Sequence, residues 1–371
     1  MRIVAHVDMD AFFATVEERY NPQFRGKPIV IGADPKGGAG RGVVSTASYS
    51  ARKYGIKSAM PISQAWQLAE EARRKGEPET IFLRGQHRLY AEVSERIMAI
   101  LARDADAFEQ ASVDEAYLEF GIKNLELRIK ADPWVEAEKW ARKLKASILK
   151  AEGLTCSIGI GPNKLVAKIA SDFKKPDGLT VVHPEHVEGF LDPMPIRAIP
   201  GIGPKGEAFL HAKGVRTINE LRGVELARLV EWRGKWGEDL FRKARGISES
   251  EVSNEGELKS VGEQETFAID TLQPAFILER ARELADSVYQ RFQKEGFASF
   301  HTVVVTVRFA DFTTLTRSRT PPHSLSTREA LQGEMLRLLL PFLDARENPI
   351  RKRVRLIGVR VEKLGTHVTP H

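Results

Sequence analysis

The sequence predicts an α+β protein of more than one domain, and three observations carry that prediction. Short β-branched runs alternate with helical periodicities over residues 2–178. A wholly helical stretch follows at 184–245. Beyond a polar, acidic segment at 247–257 the order becomes β-α-β-β-α-β. A chain of 371 residues with 42% hydrophobic composition can bury a large core and is long for a single domain.

Residues 2–8 are apolar enough to be a buried strand, and 11–20 form a helix that stops before Asn21-Pro22. Residues 28–31 and 43–47 are short strands joined by the glycine-rich segment 34–42. That loop matches neither G-x-x-x-x-G-K-[ST] nor a strand-to-helix G-x-G-x-x-G, so it reads as a flexible hairpin and not as a phosphate cradle. Next come a strand at 81–83, an amphipathic helix at 88–103, a hairpin at 108–120, a long helix at 134–150 and a strand at 155–160. Together these predict a sheet with helices on one face. Gly161-Pro162-Asn163-Lys164 opens a helix with the apolar stripe Leu165, Val166, Ile169, Ala170 and Phe173, while Lys164 and Lys168 share another face. Residues 174–178 end it and mark a domain boundary.

The helical stretch is punctuated by Pro200-Gly201-Ile202-Gly203-Pro204-Lys205. Two glycines ahead of a helix leave backbone N–H groups at its start, which suits a DNA phosphate in a helix-hairpin-helix element; a plain interhelical turn fits equally. In the last domain, strands at 260–269, 299–309, 313–320 and 354–361 alternate with helices at 274–294 and 327–343. Ser326 and Glu329 are placed to make a capping box for the second helix. The implied ferredoxin-like sheet has helices on one face and a free face carrying Arg.

Net charge is +6, and beyond Leu258 the 17 basic residues against 13 acids account for +4 of it. The runs Arg317-Ser318-Arg319 and Arg351-Lys352-Arg353-Val354-Arg355 suit phosphate contact, although either run alone also fits a solvated face. No stretch approaches the roughly 18 apolar residues of a membrane span, and the N-terminus lacks a signal pattern, so the expected location is cytoplasmic. The single Cys156 reads as a small core residue.

Two carboxylate clusters carry the chemistry. Asp8 and Asp10 close the first strand, and Asp114 and Glu115 lie in the hairpin. Neighbours in a regular strand point to opposite faces, so Asp114 and Glu115 reach one site only if the bend falls close to Val113 and Asp114. Acids gathered at a sheet edge repel one another and need a compensating cation, for which Mg²⁺ with a phosphate ester is the obvious candidate. Phe12 and Phe13 follow at once, placed to pack against what the metals hold.

These motifs, in their order and spacing, closely resemble a Y-family DNA polymerase of the DNA polymerase IV (DinB) branch over nearly the whole chain. The matching pieces run from Val7-Asp8-Met9-Asp10-Ala11-Phe12-Phe13 through Ser48-Tyr49-Ser50-Ala51-Arg52, Ser112-Val113-Asp114-Glu115, Gly161-Pro162-Asn163-Lys164 and Lys168-Ile169-Ala170-Ser171-Asp172 to Thr316-Arg317-Ser318-Arg319. The resemblance implies a right-hand polymerase. Its palm, a ferredoxin-like sheet, would occupy 1–19 and 81–178, and small fingers 20–80. A helical thumb with the helix-hairpin-helix would span 179–246, a linker 247–257, a βαββαβ little finger 258–365 and a tail 366–371.

It further implies that Asp8, Asp114 and Glu115, with the Met9 carbonyl, hold two Mg²⁺ ions, for which Mn²⁺ substitutes. Phe13 would be the steric gate against the 2′-hydroxyl, Phe12 a core residue whose backbone approaches the triphosphate, and Thr46, Tyr49, Arg52 and Lys168 the triphosphate's grip. Gly201, Gly203, Lys205, Arg317, Arg319, Arg353 and Arg355 would meet DNA. The small residues Val43, Ser45 and Ala59 would roof the nascent pair loosely, implying distributive, low-fidelity translesion synthesis by a monomer without proofreading. Partners would be primer-template DNA, deoxynucleoside triphosphates and a sliding clamp. The chain departs from the pattern in its acidic linker and in ending without a Gln-x-x-Leu-Phe tail for the clamp. The competing functions are a non-catalytic DNA-binding scaffold with a polymerase fold and a template-free cyclase-like enzyme. The first predicts loss of one of the three acids, and the second has no use for the Arg-rich last domain.

Overall fold

The computed structural model describes residues 2–103, 105–120, 132–254, 258–344 and 346–366. The end of the expected linker, 255–257, and the tail from 367 lie outside them. The chain divides into two compact units, Met1–Glu255 and Gly256–His371, each with its own apolar core, and the fold is the α+β multidomain one the sequence predicts.

The first unit is built on a five-stranded sheet ordered β5 (Ala107–Gln110), β6 (Glu115–Glu119), β1 (Val4–Met9), β7 (Cys156–Gly161) and β8 (Leu179–Val181). β1 is central and buried along its whole length. Its odd residues Ala5, Val7 and Met9 join Ile158 and Ile160 of β7 in a core covered by α4 (His87–Arg103) and α5 (Pro133–Glu152). Its even residues Val4, His6 and Asp8 therefore point to the other face, where α6 (Lys164–Phe173) packs. Helices thus cover both faces, where the sequence suggested one. The contact with α6 needs glycine in β7: a Cβ at Gly159, opposite His6, would sit 2.1 Å from the Ala167 carbonyl oxygen. β8 belongs to this sheet, pairing parallel with β7, so the boundary expected after 178 falls too early. Phe173 also leaves the predicted apolar stripe; it is more than half exposed and meets Phe190 edge-on.

A smaller sheet, β3 (Val44–Ala47), β2 (Ile29–Gly32) and β4 (Ile81–Leu83), packs with α1 (Phe12–Tyr20), α2 (Tyr49–Arg52) and α3 (Ile62–Arg74). α2 and α3 lie where the sequence pattern predicts no helix. The inward stripe of α3 is Ile62, Ala65, Ala69 and Ala72, and three of those four are alanines, a weak periodic signal. Five further helices, α7 (Val187–Leu191), α8 (Pro204–Ala212), α9 (Ile218–Arg222), α10 (Leu226–Arg233) and α11 (Lys235–Lys243), share a core of Leu210, Ile218, Leu221, Leu229 and Leu240.

The second unit is an antiparallel sheet ordered β12 (Thr314–Arg319), β11 (Thr302–Phe309), β13 (Val354–Glu362) and β9 (Ser260–Thr271), with α12 (Pro274–Lys294) and α13 (Arg328–Leu343) on one face. β10 (Phe297–Ser299) and β14 (Gly365–Thr366) form a separate pair. The cap of α13 is Thr327, whose hydroxyl accepts from the Ala330 amide, and not the predicted Ser326.

Register corrects the expected free face. Arg317 and Arg319 stand opposite Val305 and Val303, which face the helices. The two arginines therefore lie on the covered side of the edge strand, paired with Glu347 and Glu334. The open face carries Arg308 and Arg360 instead, beside Thr306, Thr316 and Gly358.

Candidate active site

β1 and β6 pair so that Asp8 stands opposite Glu115, and the Met9 amide donates to the Asp114 carbonyl at 2.9 Å, tying the two acidic clusters together. The bend falls at 111–114, where the sequence placed it. The Ser112 hydroxyl accepts from the Asp114 and Glu115 amides at 3.2 and 3.0 Å and donates to Asp114 Oδ1 at 2.6 Å. Asp114 precedes the strand and escapes its alternation, which is how adjacent acids come to flank one site.

Asp8 is 7% exposed, and burial pushes its carboxyl up to about 7 in spite of the Lys175 ammonium 2.6 Å from Oδ2. Glu115 goes the other way, because His6 and Lys168, the latter 2.8 Å from Oε2, hold it well below the usual carboxylate range. Of the facing pair, Asp8 keeps a proton longer.

The neighbour His6 is fully buried and escaped the sequence reading. Ser171 gives its one hydroxyl proton to the Lys168 carbonyl at 2.8 Å, so it accepts from His6 Nδ1, also at 2.8 Å. Nδ1 is therefore a donor, and Nε2, 3.6 Å from Glu115, favours the Glu115 carboxylate when it too carries a proton.

Among the described residues no three His, Cys, Asp or Glu side chains converge as a ready metal cage. Asp8 and Glu115 face each other, each with a lysine on it, while the Asp114 carboxylate is bonded to Ser112. The donors are all oxygens, with Asp8 buried and Asp114 and Glu115 half-buried, which fits a hard dication such as Mg²⁺ or Mn²⁺.

Asp10 is structural. Buried, it accepts from Ser157 Oγ at 2.8 Å, the Asp177 amide at 2.8 Å and the Tyr49 hydroxyl at 3.3 Å. Burial, with Asp10 beside it, pushes the Tyr49 phenol up to about 12. Arg52 stacks over the Tyr49 ring at 4.7 Å and donates to the Ala47 carbonyl, and both residues ride on α2, which Ser48 caps. Thr46 is half-buried in β3.

Phe12 is fully buried in the core. Phe13 is half-buried, its ring stacked on Tyr90 with centroids 4.3 Å apart. Tyr90 in turn donates to Glu17 at 2.6 Å, and Glu17 also accepts from Gln86 and Asn21. Ala11, in the left-handed region at φ 44°, offers α1 no side-chain cap.

In the helical part, Gly201 has φ +95°, a conformation that favours glycine, and Gly203 is the N-cap of α8, with Lys205 exposed in its first turn. Arg353 is exposed, and Arg355 lies over the Phe312 ring at 4.5 Å and 3.7 Å from Asp270. Among the described residues no helix is long and apolar enough to cross a membrane.

Residues 7–172 match the model of the impB/mucB/samB family and residues 258–370 that of its C-terminal domain. The chain is 44% identical over 365 residues to DNA polymerase IV 2 of Methanosarcina mazei, covering 98% of this chain and 92% of that one. It is 42% identical over 367 residues to DNA polymerase IV of Streptococcus pyogenes, covering 98% and 94%. Among solved structures, a Y-family DNA polymerase chimera of Dbh and Dpo4 superposes with a TM-score of 0.82 at 31% identity, over 98% of this chain and all of that one. An insertion ternary complex of Dbh DNA polymerase gives 0.66 at 30%, with the same coverage. With near-complete coverage at these identities, and with the acidic clusters of β1 and β6 facing each other on one sheet, the chain belongs to the Y-family of DNA polymerases, in its DNA polymerase IV branch.

Proposed function

We propose that this chain is a DNA-directed DNA polymerase of the translesion type, adding deoxynucleotides to a primer 3′ end. The single observation that carries the proposal is the β1–β6 pairing that sets Asp8 against Glu115, with Asp114 at the adjoining bend. In this reading the five-stranded sheet is the palm, 20–80 the fingers, the helical stretch to 246 the thumb with its helix-hairpin-helix, and 258–365 the little finger beyond the linker.

Asp8, Asp114 and Glu115, with the Met9 carbonyl, would hold two Mg²⁺ ions, or Mn²⁺ in their place. When bound, such ions activate a hydroxyl and neutralise triphosphate charge. The protein's own part is positioning. The hydrogen bonds of Ser112 hold the Asp114–Glu115 bend, and Lys168, Arg52, Tyr49 and Thr46 face phosphate charge, together with the uncapped start of α1 at Phe12. Tyr90, anchored by Glu17, backs one face of the Phe13 ring and leaves the gate no room to yield under a 2′-hydroxyl. The fingers' small Val43, Ser45 and Ala59 support a loose roof, hence low-fidelity, distributive synthesis without proofreading. Duplex DNA would be met by Gly201, Gly203 and Lys205 at α8 and by Arg353 and Arg355. The covered-face Arg317 and Arg319 would reach it past their acidic partners, and Arg308 and Arg360 join from the open face.

Primer extension with Mg²⁺ tests the reading. Wild type should extend a primer and pass at least one of a panel of template lesions that includes a minor-groove guanine adduct and an abasic site. Asp114→Ala should lose on the order of 10³-fold in rate. Extension by Asp114→Ala at the wild-type rate would refute the site, and accurate copying with failure at every lesion would refute the bypass role.

A further inference from the structure

We propose that Lys175 is a resident counter-cation of the site, holding Asp8 until a divalent ion takes its place and then passing to Asp172. This rests on the reading of Asp8 as a metal ligand.

Asp8 is nearly buried, and a carboxylate out of water is costly unless paired. Its nearest cation is Lys175 Nζ, 2.6 Å from Oδ2. The same ammonium lies 2.8 Å from Asp172 Oδ1, whose side chain is 58% exposed against 11% for that of Asp8. One ammonium is therefore shared between an acid inside the site and one at its rim, and leaving the first does not strand it.

The loop that delivers Lys175 is fastened independently of that contact. The Asp177 amide donates to Asp10 Oδ2, the Gly178 amide to Ser157 Oγ at 3.2 Å, and Lys145 bonds Asp177 at 2.6 Å as well as the Cys156 and Gly178 carbonyls. Only the Lys175 side chain needs to move. On the other side of the site Lys168 lies on Glu115 in the same manner, so each facing acid already carries a positive charge, which an incoming dication would have to displace. Lys175 touches none of the reacting groups in this scheme; it acts through Asp8 and is a positioning residue.

The test is Mn²⁺ binding to the full chain without DNA or nucleotide, read from the electron paramagnetic resonance of the free ion at about pH 8.5, above the ordinary carboxylate range. Lys175→Met should bind Mn²⁺ on the order of tenfold more tightly than wild type. Lys175→Arg, which keeps the charge, should restore wild-type affinity. Asp172→Asn, an exposed change, should bind more weakly, because Lys175 is then left wholly to Asp8, and should have no further effect in the Lys175→Met background. Equal or weaker binding by Lys175→Met overturns the proposal; if that variant fails to fold, unchanged affinity in Asp172→Asn does so. Asp8→Asn separates the two levels. If it binds Mn²⁺ as wild type does, the metal-ligand reading of Asp8 has failed; if it loses binding while Lys175→Met gains none, only the role of Lys175 has.

Discussion

At the scale of single residues, the adjacent side chains of each motif have opposite fates. Phe12 fills the core, and Phe13 presents one ring face while Tyr90 covers the other. Phe13→Ala is expected to lower discrimination against ribonucleotides tenfold to about a hundredfold with deoxynucleotide incorporation largely kept, as measured by single-nucleotide insertion kinetics. Asp8 and Asp10 differ in the same way. Asp10 satisfies three buried or half-buried donors, so Asp10→Ala should cost about 2–4 kcal/mol of stability, read from denaturant unfolding, through the partners it strands. The motif named both acids, but only their hydrogen bonds tell scaffold from site. His6 and Lys175 escaped the sequence reading because nothing local marks them. A histidine two residues before an acid and a lysine before a proline are ordinary until β1 and α6 are packed together.

At the scale of elements, the decisive contact is β7 against α6. Gly159 allows the helix backbone to approach the sheet, and α6 with the loop after it brings Lys168 and Lys175 onto the two facing acids. Gly159→Ala is therefore expected to destabilise the first unit by about 1–3 kcal/mol and to slow primer extension, with both ion pairs displaced. A melting curve and an extension assay on the same preparation check this, and an unchanged melting point would show the contact to be looser than its geometry. Strands and long helices were legible from periodicity. α3 was not, because its inward stripe is mostly alanine, and neither was β8, too short to stand apart from the turn before it.

At the scale of the whole molecule, two units with separate cores imply that each folds alone. A fragment of residues 1–254 should keep all three acids and extend primers at a low rate. Its affinity for duplex DNA should be weaker and its salt dependence shallower than those of the full chain, because in the proposed reading the Arg-rich second unit would contribute phosphate contacts. Fluorescence anisotropy over a salt series measures both, and an identical slope for fragment and full chain would exclude the second unit from the interface.

The order of the main strands and long helices, the two acidic clusters, the bend close to Val113 and Asp114 and the family itself were determined by the sequence, because each is written in local chemistry: periodicity, turn residues and motif spacing. Only the tertiary structure decided which face each residue serves. One step of strand register put Arg317 and Arg319 on the covered side of their sheet and Arg308 and Arg360 on the open one. The packing of α6 gave Asp8 and Glu115 their lysines. Such facts depend on what lies opposite in space, and spacing along the chain does not encode that for residues as far apart as Asp8 and Lys175.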